Sequence, residues 1–386
     1  DHGAPMYLVQ YDRKPLDATV AITQTFLGVQ LQCARCHDHP FEEWKQTDFY
    51  GMAAFLTRLQ LVQLKKAKRL SRITIGEMNT GEVMFTGPAS KQTPGKKGKP
   101  IAPRFLQGEL LKEPSLPKTI KDPRRFPSGK IPPKPYFSRK NQLAEWVTSA
   151  KNPWFAKAIV NRVWAQFLGQ GMIHPIDNLK GGERILPELL ELTSKAMVEH
   201  RFDLKWLIRE ICNSNVYQAT HNNDVADAKP ERFERARTRP LSAEELAESW
   251  VRATAYDKTN TRRRPNRESS RFQGVTWGYM LRFFGQPNNG IGDFQGGLHE
   301  HLYLSNGEVH KLITTNKGGL HHTLMSSKKP WPERVKDLYL ATLSRYPREA
   351  EVKRMVSHLT APGETSQYLR EAIWALITCS EFRFNH

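Results

Sequence analysis

Cysteine is scarce in this chain, with four residues in 386. That is too few for the disulfide framework of a small secreted scaffold. Long apolar runs are missing too. No stretch of about 18 apolar residues occurs, so no segment reads as a membrane span. Acid is short: 39 Asp and Glu stand against 58 Lys and Arg, a formal net charge of +19. G-x-S-x-G, H-E-x-x-H and P-loop patterns are all lacking, which leaves a hydrolase little to stand on. No groove-reading helix, zinc finger or RNA-binding signature is present, so nucleic acid is not an expected partner.

The remaining composition, 39% hydrophobic and 25% charged, is that of a soluble globular protein with room for two or three domains. The chain starts at Asp1 without Met, as a processed or truncated product would.

The charge is uneven. From Lys91 to Lys140 there are 14 Lys/Arg, 3 Asp/Glu and 10 of the 25 prolines. This composition predicts a basic, Pro-rich linker over 91–140, with attraction to polyanions as its alternative role.

The expected fold class is mainly α, in multi-helix bundle-like domains. Apolar spacing predicts helices over 15–31 and 41–63. Two β-branched or aromatic runs flank Asn79-Thr80-Gly81, predicting a small β-hairpin near residues 70–87. From Asn141 the pattern is helical almost throughout. Asp203 is a candidate N-cap, and Ser242 with Glu245 a capping box. Residues 262–289 read as a long loop with a short helix. "LIREICNSNVY" and "AIWALITCSEF" end alike, a faint internal repeat. Cys212 and Cys379 sit in apolar helical surroundings as core thiols, with a disulfide between them as the alternative, and Trp146, Trp154, Trp164 and Trp206 fall on apolar helix faces. Three domains follow: 1–90 around the cysteine motif, the 91–140 linker, and a helical domain over 141–386.

The chemistry concentrates in "QCARCHDHPFEEW". Cys33-Ala34-Arg35-Cys36-His37 matches C-x-x-C-H, the c-type haem attachment spacing. Two thiols take the two vinyl groups on one porphyrin edge, and the adjoining His reaches the iron. Three readings compete. The first is covalent haem c on Cys33 and Cys36 with His37 as axial ligand. The second is bare zinc held by Cys33, Cys36, His37 and His39. The third is a structural turn or local disulfide. In the haem reading His39 serves beside the ligands or is solvated. Met52, Met84, His299, His301, His321 and His322 are all able to be a distal ligand. Two further polar clusters stand out. Asp293, His299, Glu300 and His301 offer metal or acid–base groups, and His174, Asp177 and Asn178 look like a loop cap.

Residues 16–56, from "LDATVAITQ" through the cysteine motif to "YGMAAFL", resemble the end of the planctomycete cytochrome-like domain. "LAEWVTSAKNPWFAKAIVNRVW", "PELLELTSKAMVEH", "RPLSAEELAESW", "LYLSNG" and "LITCSEFRFN" resemble, in order, the planctomycete-specific domain of unknown function that follows it. The resemblance implies a periplasmic, secreted or cell-surface protein with a haem-c site at Cys33, Cys36 and His37. It supplies no activity, and whether the protein is an enzyme is left open. The family's domain carries a long helical stretch ahead of its cysteine motif, whereas 32 residues precede Cys33. A cleaved or late-numbered chain is the expectation that follows. The leading function is therefore electron transfer or another redox reaction with a redox partner protein. The alternative is a non-enzymatic surface module holding an anionic polysaccharide or another exported protein.

Overall fold

The computed structural model describes residues 4–65, 72–85, 98–219, 229–259, 284 and 298–385. It is mainly α, and its sheets among the described residues are four separate two-stranded antiparallel pairs. The chain divides into two compact units, Asp1–Tyr217 and Gln218–His386. The division falls inside the stretch expected as one helical domain. The expected loop over 262–289 lies outside the described residues, apart from Phe284.

In the first unit, helix Pro15–Ile22 starts on Pro15, whose missing N–H costs nothing at a helix start. It runs into a π-turn over Thr23–Leu27, closed by Gly28 in the left-handed region at φ 62°. A Cβ on Gly28 would come within 2.7 Å of the Leu179 side chain, so both the backbone and the packing require glycine there. Helix Gln46–Ala53 packs Phe49 and Met52 with Leu27, Leu31 and Trp44 into the unit's core.

The helix expected over 41–63 is shorter than its pattern. Leu59–Lys65 is a strand, β1, paired antiparallel with β2, Arg72–Glu77. Leu59, Leu61 and Gln63 share one face of β1 and Gln60, Val62 and Leu64 the other, with Val62 buried. Leu56 and Leu59 also fit a helical spacing, which is why the helical pattern runs on past the helix end. The hairpin is also re-paired. β3, Val83–Phe85, joins β4, Lys99–Ile101, and not β2. Asn79 and Thr80 do not close a two-residue hairpin: the Met78 N–H that would pair across it donates to Arg58 O at 2.9 Å, and Asp122 braces the turn residues themselves. The Asp122 carboxylate accepts from the Asn79 and Thr80 backbone N–H at 3.0 and 2.6 Å, and from both side chains.

Residues 98–140, expected as part of a linker, are fastened to this unit. Glu113 accepts from both Arg58 and Arg139, whose Nη1 also donates to Ala54 O at 2.9 Å. Gly129 N donates to Gln63 O at 2.8 Å, and Tyr136 N to Asn79 Oδ1 at 2.6 Å. Phe126 and Pro132 fill the space beside Gly76, where a Cβ would sit 2.6 Å from the Phe126 ring.

Helices Arg139–Val147, Phe155–Leu168, Pro187–Glu199 and Leu204–Asn213 complete the first unit. Ser138 caps the first and Asp203 the last, each accepting a first-turn N–H.

In the second unit, helix Ala243–Ala253 carries the Ser242/Glu245 capping box. Burial pushes the Glu245 carboxyl up, but hydrogen bonds from Arg239 and Ser242 outweigh it and hold the carboxyl below its ordinary value. Trp250 is wholly buried and donates its Nε1 proton to Ile377 O at 2.9 Å. Helices Trp331–Leu343, Glu349–Leu359 and Thr365–Thr378 pack Val335, Leu338, Leu359 and Ile373 into the same core.

The two similar helix ends share a local design. Ser214 and Cys379 each leave the helix in extended backbone, at φ/ψ −72/146° and −70/162°. Each is followed at once by a four-residue helix.

Candidate cysteine turn

Gln32–Arg35 forms one 3-10 turn, set between the buried Leu31 and the bend at Asp38. Cys36 N and His37 N both approach Cys33 O, at 3.3 and 3.4 Å. Ala34 is the inward residue and is fully buried. Cys33 is half-buried, and Cys36 and His37 are exposed. All four cysteines are free thiols.

The turn is held onto helix Gln46–Ala53. Arg35 O accepts from Tyr50 Oη at 3.2 Å and from Gln46 Nε2 at 3.4 Å. Asp38 Oδ1 accepts from Gln46 N at 2.9 Å. Burial pushes the Tyr50 phenol up; Arg35 opposes that rise and the neighbouring Cys36 adds to it.

The two histidines are oriented differently. His37 Nδ1 lies 2.7 Å from Asp38 O. A carbonyl only accepts, so neutral His37 carries its proton on Nδ1 and keeps the Nε2 lone pair. His39 Nδ1 instead accepts from Phe41 N at 3.3 Å and Glu42 N at 3.0 Å, which puts its proton on Nε2. Its backbone N–H donates to Trp44 O at 2.8 Å, so His39 closes the 39–44 loop from both ends. Among the described residues no group of three or more His, Cys, Asp or Glu is placed to hold a metal ion.

The loop 174–182 closes one flank. Leu179 N donates to Gly28 O at 2.8 Å, and Gln30 Nε2 to Asp177 Oδ1 at 2.9 Å. Lys180 sits 4.8 Å over the Trp44 ring and pairs with Glu43. Glu42 accepts the Trp44 indole proton at 2.5 Å. Asn178 caps Gly181 N at 2.9 Å, which makes the Asp177/Asn178 cluster a structural loop. Sequence reasoning missed Gln46, Tyr50 and Lys180 as supports of the turn. Lys180 lies far along the chain, and no spacing rule reaches it.

The other candidates are spent or dispersed. Met52 is buried in the core, and Met84 is 46% exposed. His321 is buried in the second unit, with Nε2 2.9 Å from Ser366 O. Glu300 is buried in an ion pair with Arg383 at 2.6 Å, a structural use of that acid. His301 is exposed on helix Leu298–Asn306, where positions 299 and 301 diverge. Asp293 and the His299 side chain lie outside the described residues.

The turn falls within a recognised stretch. Residues 7–61 match the family PSCyt2, a protein of unknown function (DUF1549). Residues 139–276 match PSD1, a protein of unknown function (DUF1553). Both are planctomycete-type domains, and neither description names a cofactor or an activity. No curated protein and no solved structure matches the chain. The PSD1 match spans the division between the two compact units.

Proposed function

We propose that this is an exported c-type haem protein that transfers electrons. Cys33 and Cys36 would hold the haem through thioether bonds, and His37 would ligate its iron. One observation carries the reading: the Asp38 carbonyl fixes the His37 proton on Nδ1 and leaves Nε2 as a free, exposed donor beside two thiols. The residues fit the group on the outer face of the turn. Behind Ala34 the core is filled by Leu27, Leu31, Trp44 and Phe49.

Bound there, the haem would supply a one-electron redox centre. The chain's own residues do the positioning. Tyr50 and Gln46 hold the carbonyl of Arg35, which lies between Cys33 and Cys36 in the chain, and Asp38 ties the His37 end to helix Gln46–Ala53. His39 holds the following loop. Bare zinc draws less support, because it needs the His39 lone pair that two backbone N–H groups already occupy. The periplasm or cell surface is the compartment that the planctomycete-type matches favour.

The test is a pyridine haemochrome spectrum with intact mass, on protein made with cytochrome-c maturation. A c-type α-band and the added mass of one haem are expected, both lost in Cys33→Ala/Cys36→Ala. His37→Ala should keep the mass and change the Soret band. Natively matured protein with neither band nor mass would overturn the proposal.

A further inference from the structure

We infer that residues 98–140 form a pre-set docking surface for a linear anionic polysaccharide. Eleven Lys/Arg and three Asp/Glu fall in this stretch. Two of the three acids are turned to internal use. Glu113 is committed to Arg58 and Arg139, and Asp122 to the Asn79-Thr80 turn. Burial pushes both carboxyls up, but their partners outweigh it and hold both below their ordinary values, so they stay charged and inward-committed. Glu109 is the one exposed acid left against Lys99, Lys112, Lys118, Lys121, Arg124, Arg125, Lys130 and Lys134, all exposed. None of these eight forms an ion pair with a described residue.

The anchoring matters as much as the charge. Glu113, Asp122, the Gly129 N–H to Gln63 O, and Tyr136 N to Asn79 Oδ1 pin the stretch at intervals. The backbone that carries the cations is therefore held along a fixed path, and a ligand orders only their exposed side chains on binding.

The backbone form selects among polyanions. From Lys112 to Lys134 the chain is neither helix nor strand, so it offers nothing shaped to enter a duplex groove. Between Lys112 and Lys134 the one aromatic, Phe126, is packed on Gly76; Tyr136, just beyond, is 53% exposed but is a single ring, not the series of rings on which successive unpaired bases stack. What remains is recognition by charge along a line, which suits a sulfated or carboxylated polysaccharide.

The probe is dextran sulfate, with uncharged dextran as control. In one variant Lys118, Lys121, Arg124, Arg125, Lys130 and Lys134 become Gln. In a second, Lys229, Lys317, Lys328, Lys336, Lys353 and Arg354 do. Each loses six charges, and circular dichroism checks that each folds. The first variant should bind at least about ten-fold more weakly than the parent, and the second within about three-fold. Equal losses would overturn the proposal in favour of overall charge. Tighter binding to duplex DNA or phosphatidylserine vesicles at the same salt would overturn it in favour of those partners. Should the first variant fail to fold, acetylation footprinting of the unaltered protein decides. Dextran sulfate must protect Lys118, Lys121, Lys130 and Lys134 and leave Lys336 and Lys353 reactive.

Discussion

Residues 98–140 and residues 331–383 are of similar length and are held in opposite ways. The first has eleven basic and three acidic residues, the second eight and seven. The second folds into helices that bury Val335, Leu338, Leu359, Leu369, Ile373 and Ile377, and its surface charges nearly cancel. The first buries Leu106 and little else that is apolar, and leans on Glu113, Arg139 and Asp122. A helix spreads its attachment over many apolar contacts. An irregular stretch concentrates it in a few polar anchors, and those anchors consume its acids. The mode of attachment thus sets the net charge of the exposed face.

Two truncations should bring out the contrast most strongly. Leu338→Ala removes a fully buried side chain and should cost about 3–4 kcal/mol in urea unfolding. Glu113→Ala should cost about 3 kcal/mol, because Arg58 and Arg139 lose a common counter-charge while 10% and 5% exposed. The comparison breaks if Glu113→Ala costs less than about 1 kcal/mol, the range of an exposed pair. It sharpens if Ile131→Ala, at an 82% exposed apolar site in the same stretch, changes stability by under about 0.5 kcal/mol.

Asp122→Ala is the intermediate case. Four donors lose one acceptor, partly to solvent, at a cost of about 2 kcal/mol. The same change raises the net charge by one. If charge alone governs polyanion binding, affinity for dextran sulfate rises. If the anchored path governs it, affinity falls. Titration of parent and variant at one salt concentration separates the two by sign.

How much of this was legible follows the same division. The capped helices were readable because Asp203, Ser242 and Glu245 act within one turn of themselves. Cys33, Cys36 and His37 share one turn because they lie within five residues of the chain. β1 was not, since its leucines fit a helical phase until the pairing with Arg72–Glu77 is known. Residues 98–140 looked like a connector because proline and lysine dominate. The residues that anchor the stretch are single acids, and their partners lie 26 to 55 residues away. Likewise the tautomers of His37 and His39 depend on one carbonyl and two N–H groups, and no spacing rule separates them.

The smallest effect expected from breaking an ion pair lies in the balanced region. Arg345 joins Glu351 and Glu381 at 2.9 and 2.5 Å, with side chains about 30% exposed. The hydrogen bond from Arg345 holds the Glu351 carboxyl at about 2, against an ordinary value of 4.5. A carboxyl lowered on folding stabilises the fold fully above its unfolded value and loses that contribution as pH falls through its folded value. The bridge should therefore act fully above about pH 4.5 and fade toward pH 2. Solvent screening limits it to on the order of 1 kcal/mol or less. Arg345→Met should lower the thermal midpoint at pH 7, and the gap from the parent should close between pH 4.5 and 2. A gap of constant size across that range would mean that Arg345 contributes packing over Tyr339, whose ring lies 5.4 Å from its guanidinium, and not charge.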